Sequence, residues 1–395
     1  MQIRKLTIEK KLIYYGNRSI YLLPELLVKK GVKKTFICTD DTLKELDLFK
    51  SILAELYKNK IEYSVFSKIT SNPKAREIHR GVLALRENTS DCVIAVGGGS
   101  VLDAAKLISL MSENAGNVIE YSTHWPDKKE FKKKGKYLIG IPTTAGSGSE
   151  MDGGATVIDE QGHKVNVGDP KLSFDLVIED PTMTYSCPKR IMAACAFDAF
   201  CHSFESLMGD NKMIFSSLAK ESVQLILKHL TEAYHRGNVV DKDCLAKASF
   251  LSGCVLGFEM TTHGLPIHSI GLPISEKYKI SHGQSLAWVA PYILEFIIEK
   301  NISSVSQISR ECGICLGNER DSAVELLRLI KKMLKDTNLV KPKDLAISSQ
   351  DIGELAEMAC RSKTTTENDI LPFTEEMCKA VYQKIAKDGY ELWDV

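Results

Sequence analysis

The sequence predicts an α/β domain followed by an all-helical domain, and two observations support that fold class. About the first 180 residues alternate short runs rich in β-branched residues with stretches of helical periodicity, which is typical of a mostly parallel sheet with helices on both faces. From about residue 188 onward, helical patterns follow one another almost without interruption. A chain of 395 residues is also long enough for two domains. We place the boundary between Pro181 and Pro188, with domains at 1–184 and 185–395.

The individual elements follow in chain order. The N-terminal region carries four predicted strands and two predicted amphipathic helices, with strands at 34–40, 62–67, 91–99 and 137–144 and helices at 42–60 and 75–89. In the C-terminal region, a helix over 217–237 ends at Gly237, as a glycine C-cap would end it. A further helix over 321–336 opens with Ser322 and Glu325, which have the spacing of a capping box.

Charge and hydropathy exclude several classes of partner. Lysine plus arginine equals aspartate plus glutamate at 51 each, so no long-range field attracts nucleic acid or an anionic membrane. The one dense basic run, 127–136, also contains acids and is interpreted as a solvated loop. No window of about 18 uninterrupted apolar residues occurs, and the first residues lack the core of a signal peptide. We therefore expect a cytoplasmic protein.

The eleven cysteines do not form a disulfide-like framework. Several, such as Cys92 and Cys254, lie inside apolar runs, as reduced core thiols do. Cys312 and Cys315 form a lone C-x-x-C with no second pair and no nearby histidine. Zinc or redox chemistry is therefore not favoured at that pair.

Two loops of small residues follow two of the predicted strands. Gly97, Gly98, Gly99 and Ser100 lie between a strand and a helix, where glycine allows close backbone approach and free N–H groups attract phosphate. This loop is neither a Walker loop nor a full G-x-G-x-x-G, and by itself it fits a tight turn equally well. The next strand ends in a second such loop with four hydroxyls, those of Thr143, Thr144, Ser147 and Ser149. Two such loops at the carboxyl ends of adjacent strands predict a nucleotide site.

An acidic pair, Asp40 and Asp41, follows the strand at 34–40. An acid in this place accepts hydrogen bonds from an adenosine ribose and repels a 2′-phosphate, which favours NAD over NADP. The alternative is that Asp40 or Asp41 caps the helix that begins at Thr42. The sequence leaves both interpretations open.

Asp198 and His202 lie four residues apart on a largely apolar helix, so both side chains project from one face. Further imidazoles occur downstream at His263, His268 and His282. A carboxylate with several imidazoles suits Fe²⁺ or Zn²⁺. Taken singly, each histidine also fits a hydrogen-bonded core residue, but unpaired buried polar groups are costly, which favours a shared metal.

These motifs together resemble the iron-containing (group III) alcohol dehydrogenase family. The resemblance rests on GGGSVLDAAK, PTTAGSGSE, DAFCH and the 14-residue interval from His268 to His282, which occur in the family's order, and it extends from YYGNRSI to NDILPFTEE. GSEMDGGATVID and DPTMTYSCPK are most similar to butanol-dehydrogenase-like members. The resemblance implies a Rossmann-like N-terminal domain and a helical C-terminal domain, the dehydroquinate synthase-like fold, with a divalent metal.

The resemblance also implies roles for particular residues. The implied metal ligands, which would act in catalysis through the metal, are Asp198, His202, His268 and His282. The implied cofactor pocket consists of Asp40, Asn72, Gly98, Gly99, Ser100, Asp103, Thr143, Thr144, Ser147 and Lys164. Asp103 and Lys106 lie just after the glycines, and a purely structural role remains open for both. A homodimer would fit the family and the strand-like N-terminus.

Two positions depart from the family pattern. Leu272 replaces a histidine that many members carry four residues after the third ligand and that is often linked to proton transfer. Water, a ribose hydroxyl or His263 would then carry the proton, or the substrate differs. Asp152 replaces a threonine that usually contacts the cofactor, and its charge would disfavour NADP or change affinity.

The expected activity is the interconversion of a small aldehyde and its primary alcohol by NAD(H), with Fe²⁺ (or Zn²⁺) as Lewis acid. The first alternative is a reductase of an anionic aldehyde that bears a phosphonate or carboxylate. The second is a same-fold lyase, for which the helical region offers few cations apart from Lys277 and Lys279. The third is a non-catalytic nucleotide-binding protein.

Overall fold

The computed structural model of the chain describes residues 3–8, 11–123, 125–209, 214–259, 266–314, 317–342, 345–361 and 374–387. Packing of the backbone divides the chain into two compact units, Met1–Cys187 and Pro188–Val395. Two residues singled out from the sequence, His263 and Cys315, lie outside the described residues.

The N-terminal unit alternates strands and helices. Its strands are β1 (Arg4–Ile8), β2 (Lys11–Tyr15), β3 (Lys34–Cys38), β4 (Glu62–Phe66), β5 (Cys92–Gly97), β6 (Tyr137–Pro142), β7 (Gly154–Ile158), β8 (Lys164–Gly168) and β9 (Leu176–Glu179). Its α-helices are α1 (Leu23–Lys30), α2 (Asp47–Lys58), α3 (Ala75–Asn88) and α4 (Gly99–Glu113). The four strands predicted from the sequence are confirmed as β3, β4, β5 and β6.

Seven of these strands form one sheet in the order β1-β2-β9-β6-β5-β3-β4. All neighbouring pairs in it are parallel except β1 with β2, while β7 and β8 form a separate antiparallel hairpin. The chain runs from β3 outward to β4 and then returns to the other side of β3 as β5. The strand order therefore reverses between β3 and β5, and the loops after these two strands flank the point where open α/β sheets bind ligands.

Both faces of the central strands are buried. Ile94 and Val96 of β5 pack into a cluster with Leu27 of α1 and Phe49 of α2. Val93 and Ala95 alternate with them and point to the opposite face, where α4 packs. A strand buried on both faces needs a continuous apolar run, as CVIAV in β5 provides.

The C-terminal unit is helical in its described residues. Its helices are α5 (Lys189–Met208), α6 (Ile214–Arg236), α7 (Val239–Glu259), α8 (Pro266–Tyr278), α9 (His282–Lys300), α10 (Ile302–Glu311), α11 (Glu319–Asp336), α12 (Ser349–Arg361) and α13 (Glu375–Lys387). Gly237 follows α6 with a φ of +65°, as predicted for a C-cap. The predicted fold class, an α/β region followed by a helical one, is confirmed.

Two local predictions are wrong. The capping box at Ser322 and Glu325 does not form, because α11 begins earlier and Asn318 caps it by accepting a hydrogen bond from the backbone N–H of Asp321. The helix predicted over 42–60 is interrupted, since residues 43–45 form a 3₁₀ turn and Leu46 is extended before α2 begins.

No helix in the described part of the chain combines the length and the apolar character that a membrane span requires.

Candidate functional site

The two predicted small-residue loops lie side by side in the structure. β5 and β6 are paired through Gly97 and Pro142, and the backbone N–H of Thr143 donates to the carbonyl of Gly97 at 3.0 Å. A Cβ at Gly98 would lie 3.0 Å from Oγ1 of Thr144. One at Gly99 would lie 2.7 Å from Oγ of Ser147. The lack of side chains at these two glycines allows this close approach, which places the first N–H groups of α4 beside a cluster of hydroxyls.

The loop before α3 joins the same cluster. The backbone N–H of Asn72, which has a φ of +55°, donates to Oγ of Ser100 at 3.2 Å. The β7–β8 hairpin lies next to this segment, because the N–H of Ile158 donates to the carbonyl of Pro73 and Ile158 pairs with Lys164. Asn72 and Lys164, far apart in sequence, are thus brought to the carboxyl edge of the sheet, where the glycine loop lies.

The acidic pair after β3 is engaged by protein groups. Oδ1 of Asp40 accepts hydrogen bonds from the backbone N–H groups of Thr42 and Leu43 at 2.8 and 2.7 Å. The carboxylate of Asp41 pairs with Nζ of Lys44 at 2.6 Å and Nζ of Lys68 at 2.8 Å. Asp40 therefore caps this turn, which is one of the two roles that the sequence left open for it. A capping carboxylate with a second oxygen can still accept hydrogen bonds from a ribose.

Asp103, which is half-buried, and Lys106, which is fully buried, both contact the segment that follows β6. Asp103 accepts hydrogen bonds from the hydroxyl of Ser149 at 2.6 Å and from the N–H of Thr156 at 2.9 Å. Burial raises the pKa of the Asp103 carboxyl. Nζ of Lys106, whose side chain is 0% exposed, contacts Oδ1 of Asp152 at 2.5 Å. The departure at Asp152 thus has a structural account, since its charge neutralises a buried lysine.

The helical unit brings the four predicted metal ligands together. On α5, Asp198 and His202 lie one turn apart, while His268 belongs to the first turn of α8 and His282 begins α9. The Nε2 atoms of the three histidines lie 3.9, 3.4 and 3.8 Å from Oδ1 of Asp198. Among the described residues, Asp198, His268 and His282 form a group whose ligand atoms all lie within 4.8 Å of one another. His202 lies beside Asp198 but outside this group.

These spacings fit a shared cation. Metal bonds to imidazole nitrogen and carboxylate oxygen are about 2.0–2.2 Å long, so tetrahedral ligand atoms lie about 3.4 Å apart. Oδ1 of Asp198 and Nε2 of His268 are buried and make no hydrogen bond within the described part of the protein. Buried polar atoms that face each other without partners indicate a ligand that satisfies both, and a carboxylate with imidazoles suits a divalent metal.

The electrostatics of the cluster depend on burial and on the opposed charges. Burial raises the pKa of Asp198, but His202, His282 and His268 outweigh it and hold that pKa well below its usual range. Burial lowers the pKa of His202 to about 4. For His268, burial also lowers the pKa, but Glu205 and Asp198 outweigh it and raise the value to about 9. The carboxylate of Asp198 is thus already ionised and can bind a cation.

Sequence reasoning missed Glu205, which contacts His268. The Glu205 side chain is fully buried on α5, and its carboxylate hydrogen-bonds Nδ1 of the His268 imidazole. The signal was present in the sequence, since Glu205 follows Asp198 by seven residues and His202 by three and so lies on the same helix face.

A close approach of two helices places His282. A Cβ at Gly283 would overlap the backbone carbonyl of Ala194 on α5. The first turn of α9 can therefore touch α5 only because this residue has no side chain. That contact holds His282 at the level of Asp198, one turn further along α5.

The two halves of the chain each match one family model. Residues 11–181 match the model for iron-containing alcohol dehydrogenase, and residues 192–386 match that for the C-terminal part of the same family. The chain belongs to the iron-containing alcohol dehydrogenase family. The protein is accordingly an oxidoreductase of the alcohol dehydrogenase type, and iron and NAD(H) are the cofactors of its family.

Individual relatives of the family are distant but cover nearly the whole chain. Long-chain-alcohol dehydrogenase 1 of Geobacillus thermodenitrificans is 28% identical, covering 92% of this chain and 91% of its own. Sulfoacetaldehyde reductase of Bilophila wadsworthia is 27% identical over 85% of this chain and 87% of its own. The solved structure of sulfoacetaldehyde reductase from Bifidobacterium kashiwanohense with NAD⁺ shares the fold with a TM-score of 0.86, at 19% identity and coverage of 98% and 100%.

Proposed function

We propose that the protein interconverts a small uncharged aldehyde and its primary alcohol, using iron held by Asp198, His202, His268 and His282. The observation that carries the proposal is the approach of three Nε2 atoms to one buried carboxylate oxygen, at 3.4–3.9 Å. When bound, iron supplies a Lewis acid for the carbonyl oxygen, and NADH supplies the hydride.

The chain's own residues bind and orient. The N–H groups at the start of α4, beside Gly98, Gly99 and the hydroxyl of Thr144, are suited to the cofactor's pyrophosphate. Asn72 and Lys164 lie near them and complete the proposed pocket. The carboxylate of Asp198 balances part of the metal's charge. Within each unit, these groups are held in place before a ligand binds, so little local reorganisation is needed.

Leu272 lies one turn after His268 on α8 and cannot carry a proton. Water, a ribose hydroxyl or His263 would then carry the alcohol proton, or the substrate differs, which are the alternatives that the sequence left open.

An anionic aldehyde is the second candidate, supported by the similarity to sulfoacetaldehyde reductase. Lys277, one of the two cations that the sequence offers in this helical region, is held by Asp351 at 2.9 Å and Glu354 at 2.5 Å. A lysine neutralised by two carboxylates is a poor anion site. This contact favours the uncharged substrate over the anionic one, and the scarcity of cations also weighs against a lyase.

Steady-state assays test both candidates. We expect NADH oxidation at 340 nm with butanal and iron, and a kcat/KM at least tenfold lower with sulfoacetaldehyde. A preference for sulfoacetaldehyde would replace the first candidate by the second. If neither the iron-loaded nor the zinc-loaded protein turned over any aldehyde with either cofactor, the non-catalytic alternative would remain.

We further propose a cytoplasmic homodimer. β1 is an edge strand of the sheet, and Leu6 in it is exposed, so its outer edge is available to a second copy. Sedimentation velocity should then give twice the 43.9 kDa of one chain. A species of one chain mass at micromolar concentration would contradict the dimer.

A further inference from the structure

We propose that Glu205 is a positioning residue that fixes the tautomer and the orientation of His268, so that Nε2 of that imidazole faces the metal. The inference rests on the proposed metal site and assigns a role to a residue outside the ligand set.

The carboxylate of Glu205 makes all its described contacts with the start of α8. Its Oε2 atom hydrogen-bonds Nδ1 of His268. Its Oε1 atom accepts hydrogen bonds from the backbone N–H groups of Ile267 at 2.6 Å and of His268 at 3.4 Å. One oxygen thus holds the backbone of the ligand-bearing turn, while the other holds its ring.

These contacts also stabilise the helix start. The first N–H groups of a helix have no partner within the helix, and a negative charge near them is favourable. Glu205 supplies both the acceptor and the charge from α5. The side chain is fully buried, and a buried carboxylate of this kind is tolerated only where its oxygens are satisfied.

The consequence for His268 concerns which nitrogen carries the proton. A carboxylate beside Nδ1 requires an N–H there, which leaves the lone pair of Nε2 free for a metal. That Nε2 is the imidazole nitrogen nearest to Oδ1 of Asp198, at 3.4 Å against 3.8 and 3.9 Å for the other two. His202 differs, because its buried Nδ1 has no hydrogen-bond partner among the described residues. Outer carboxylates that orient ligating histidines commonly change metal affinity when they are removed.

Glu205→Gln tests this role with almost no change in shape. An amide in this place must face its NH₂ group either to Nδ1 of His268 or to the N–H of Ile267. In the first case the proton is driven to Nε2, and in the second two donors oppose each other. We expect the Kd for Co²⁺, measured by titration of its visible absorption, to rise by about 10- to 100-fold. The absorption bands of the bound Co²⁺ should also shift.

Glu295→Gln is the matched control. Glu295 lies in the same helical unit and pairs with Lys331 at 2.8 Å and Lys384 at 3.1 Å, without contacting a ligand. We expect wild-type Co²⁺ affinity and an unchanged spectrum for this variant. Equal losses in the two variants would show a general effect of removing a paired carboxylate from the helical unit and would overturn the positioning role.

If Glu205→Gln does not fold, a measurement on the wild type tests the same role of Glu205. In metal-free protein labelled with ¹⁵N-histidine, the neutral ring of His268 should carry its proton on Nδ1. A proton on Nε2 of His268 in the metal-free protein, or a folded Glu205→Gln variant with wild-type affinity, would overturn the inference and leave the proposed function intact. A wild type that binds no divalent metal would instead defeat the proposed function itself.

Discussion

At the scale of single residues, the chain uses opposite charges to tolerate polar groups in its interior. Lys106 is fully buried and depends on Asp152 and on the carbonyl of Gly154, at 2.5 and 2.7 Å. Asp198 is likewise buried, and imidazoles surround it. The carboxylate of Asp152 neutralises Lys106, whereas the carboxylate of Asp198 and the imidazoles around it can bind a metal.

Asp152→Asn should destabilise the protein by about 3 kcal/mol, because it leaves the buried Lys106 without its counter-charge. Urea denaturation measures the loss of unfolding free energy. Asp336→Asn is the control, since Asp336 pairs with an exposed lysine at 2.5 Å and should cost well under about 1 kcal/mol. Adding Lys106→Met to Asp152→Asn should restore much of the stability, and a double variant no better than the single one would contradict this account.

At the scale of elements, the position of α9 against α5 depends on one missing side chain. Gly283→Ala would place a methyl group on the carbonyl of Ala194, and backbone cannot move aside as a side chain can. We expect α9 to shift and carry His282 away from Asp198, which raises the Kd for Co²⁺ at least about tenfold.

Gly353→Ala provides the control for that substitution. Gly353 lies inside α12, and a Cβ there would meet no atom within 4 Å. This variant should keep its Co²⁺ affinity and gain up to about 1 kcal/mol in unfolding free energy from helix propensity. If Gly283→Ala bound Co²⁺ as tightly as Gly353→Ala does, the close helix contact would not be what places His282.

Several elements could be predicted from sequence because their signals are local. The apolar run of β5 and the glycine after α6 each specify their own structure within a few residues. Asn318 was missed as the cap of α11 because Ser322 offered the same local pattern one turn later. Gly283 was missed for a different reason, since its importance lies in a contact with a residue more than 60 positions away, which no local pattern encodes. The spacing of Glu205 from His202 does place it on the ligand-bearing face of α5, but its distant partner His268 has no local signal.

At the scale of the whole molecule, the N-terminal unit should impose a pH dependence on stability. Burial raises the pKa of Glu150 from its ordinary 4.5 to about 7, and the pKa of the buried Glu179 is raised in the same direction. A carboxyl whose pKa is raised by folding stabilises the native state below its unfolded pKa, and this advantage is lost as pH rises through the folded pKa. Stability should therefore fall between about pH 4.5 and 7, by about 3 kcal/mol for Glu150.

Glu150→Gln tests that dependence, because the amide resembles the neutral acid at every pH. The variant should match the wild type near pH 4.5 and exceed it in unfolding free energy near pH 8, by up to about 3 kcal/mol. Glu160→Gln, at an exposed position, should follow the wild-type curve throughout. A constant difference between Glu150→Gln and the wild type across this range would show that ionisation of Glu150 is not the cause.

At the scale of the whole molecule, the proposed activity requires that four side chains from three helices bind one ion. Anomalous diffraction at the iron edge, from crystals of active iron-loaded protein, measures this directly. We predict one peak at about 2.0–2.2 Å from Oδ1 of Asp198 and from Nε2 of His202, His268 and His282. An iron peak elsewhere, or none between these atoms in active crystals, would contradict the account.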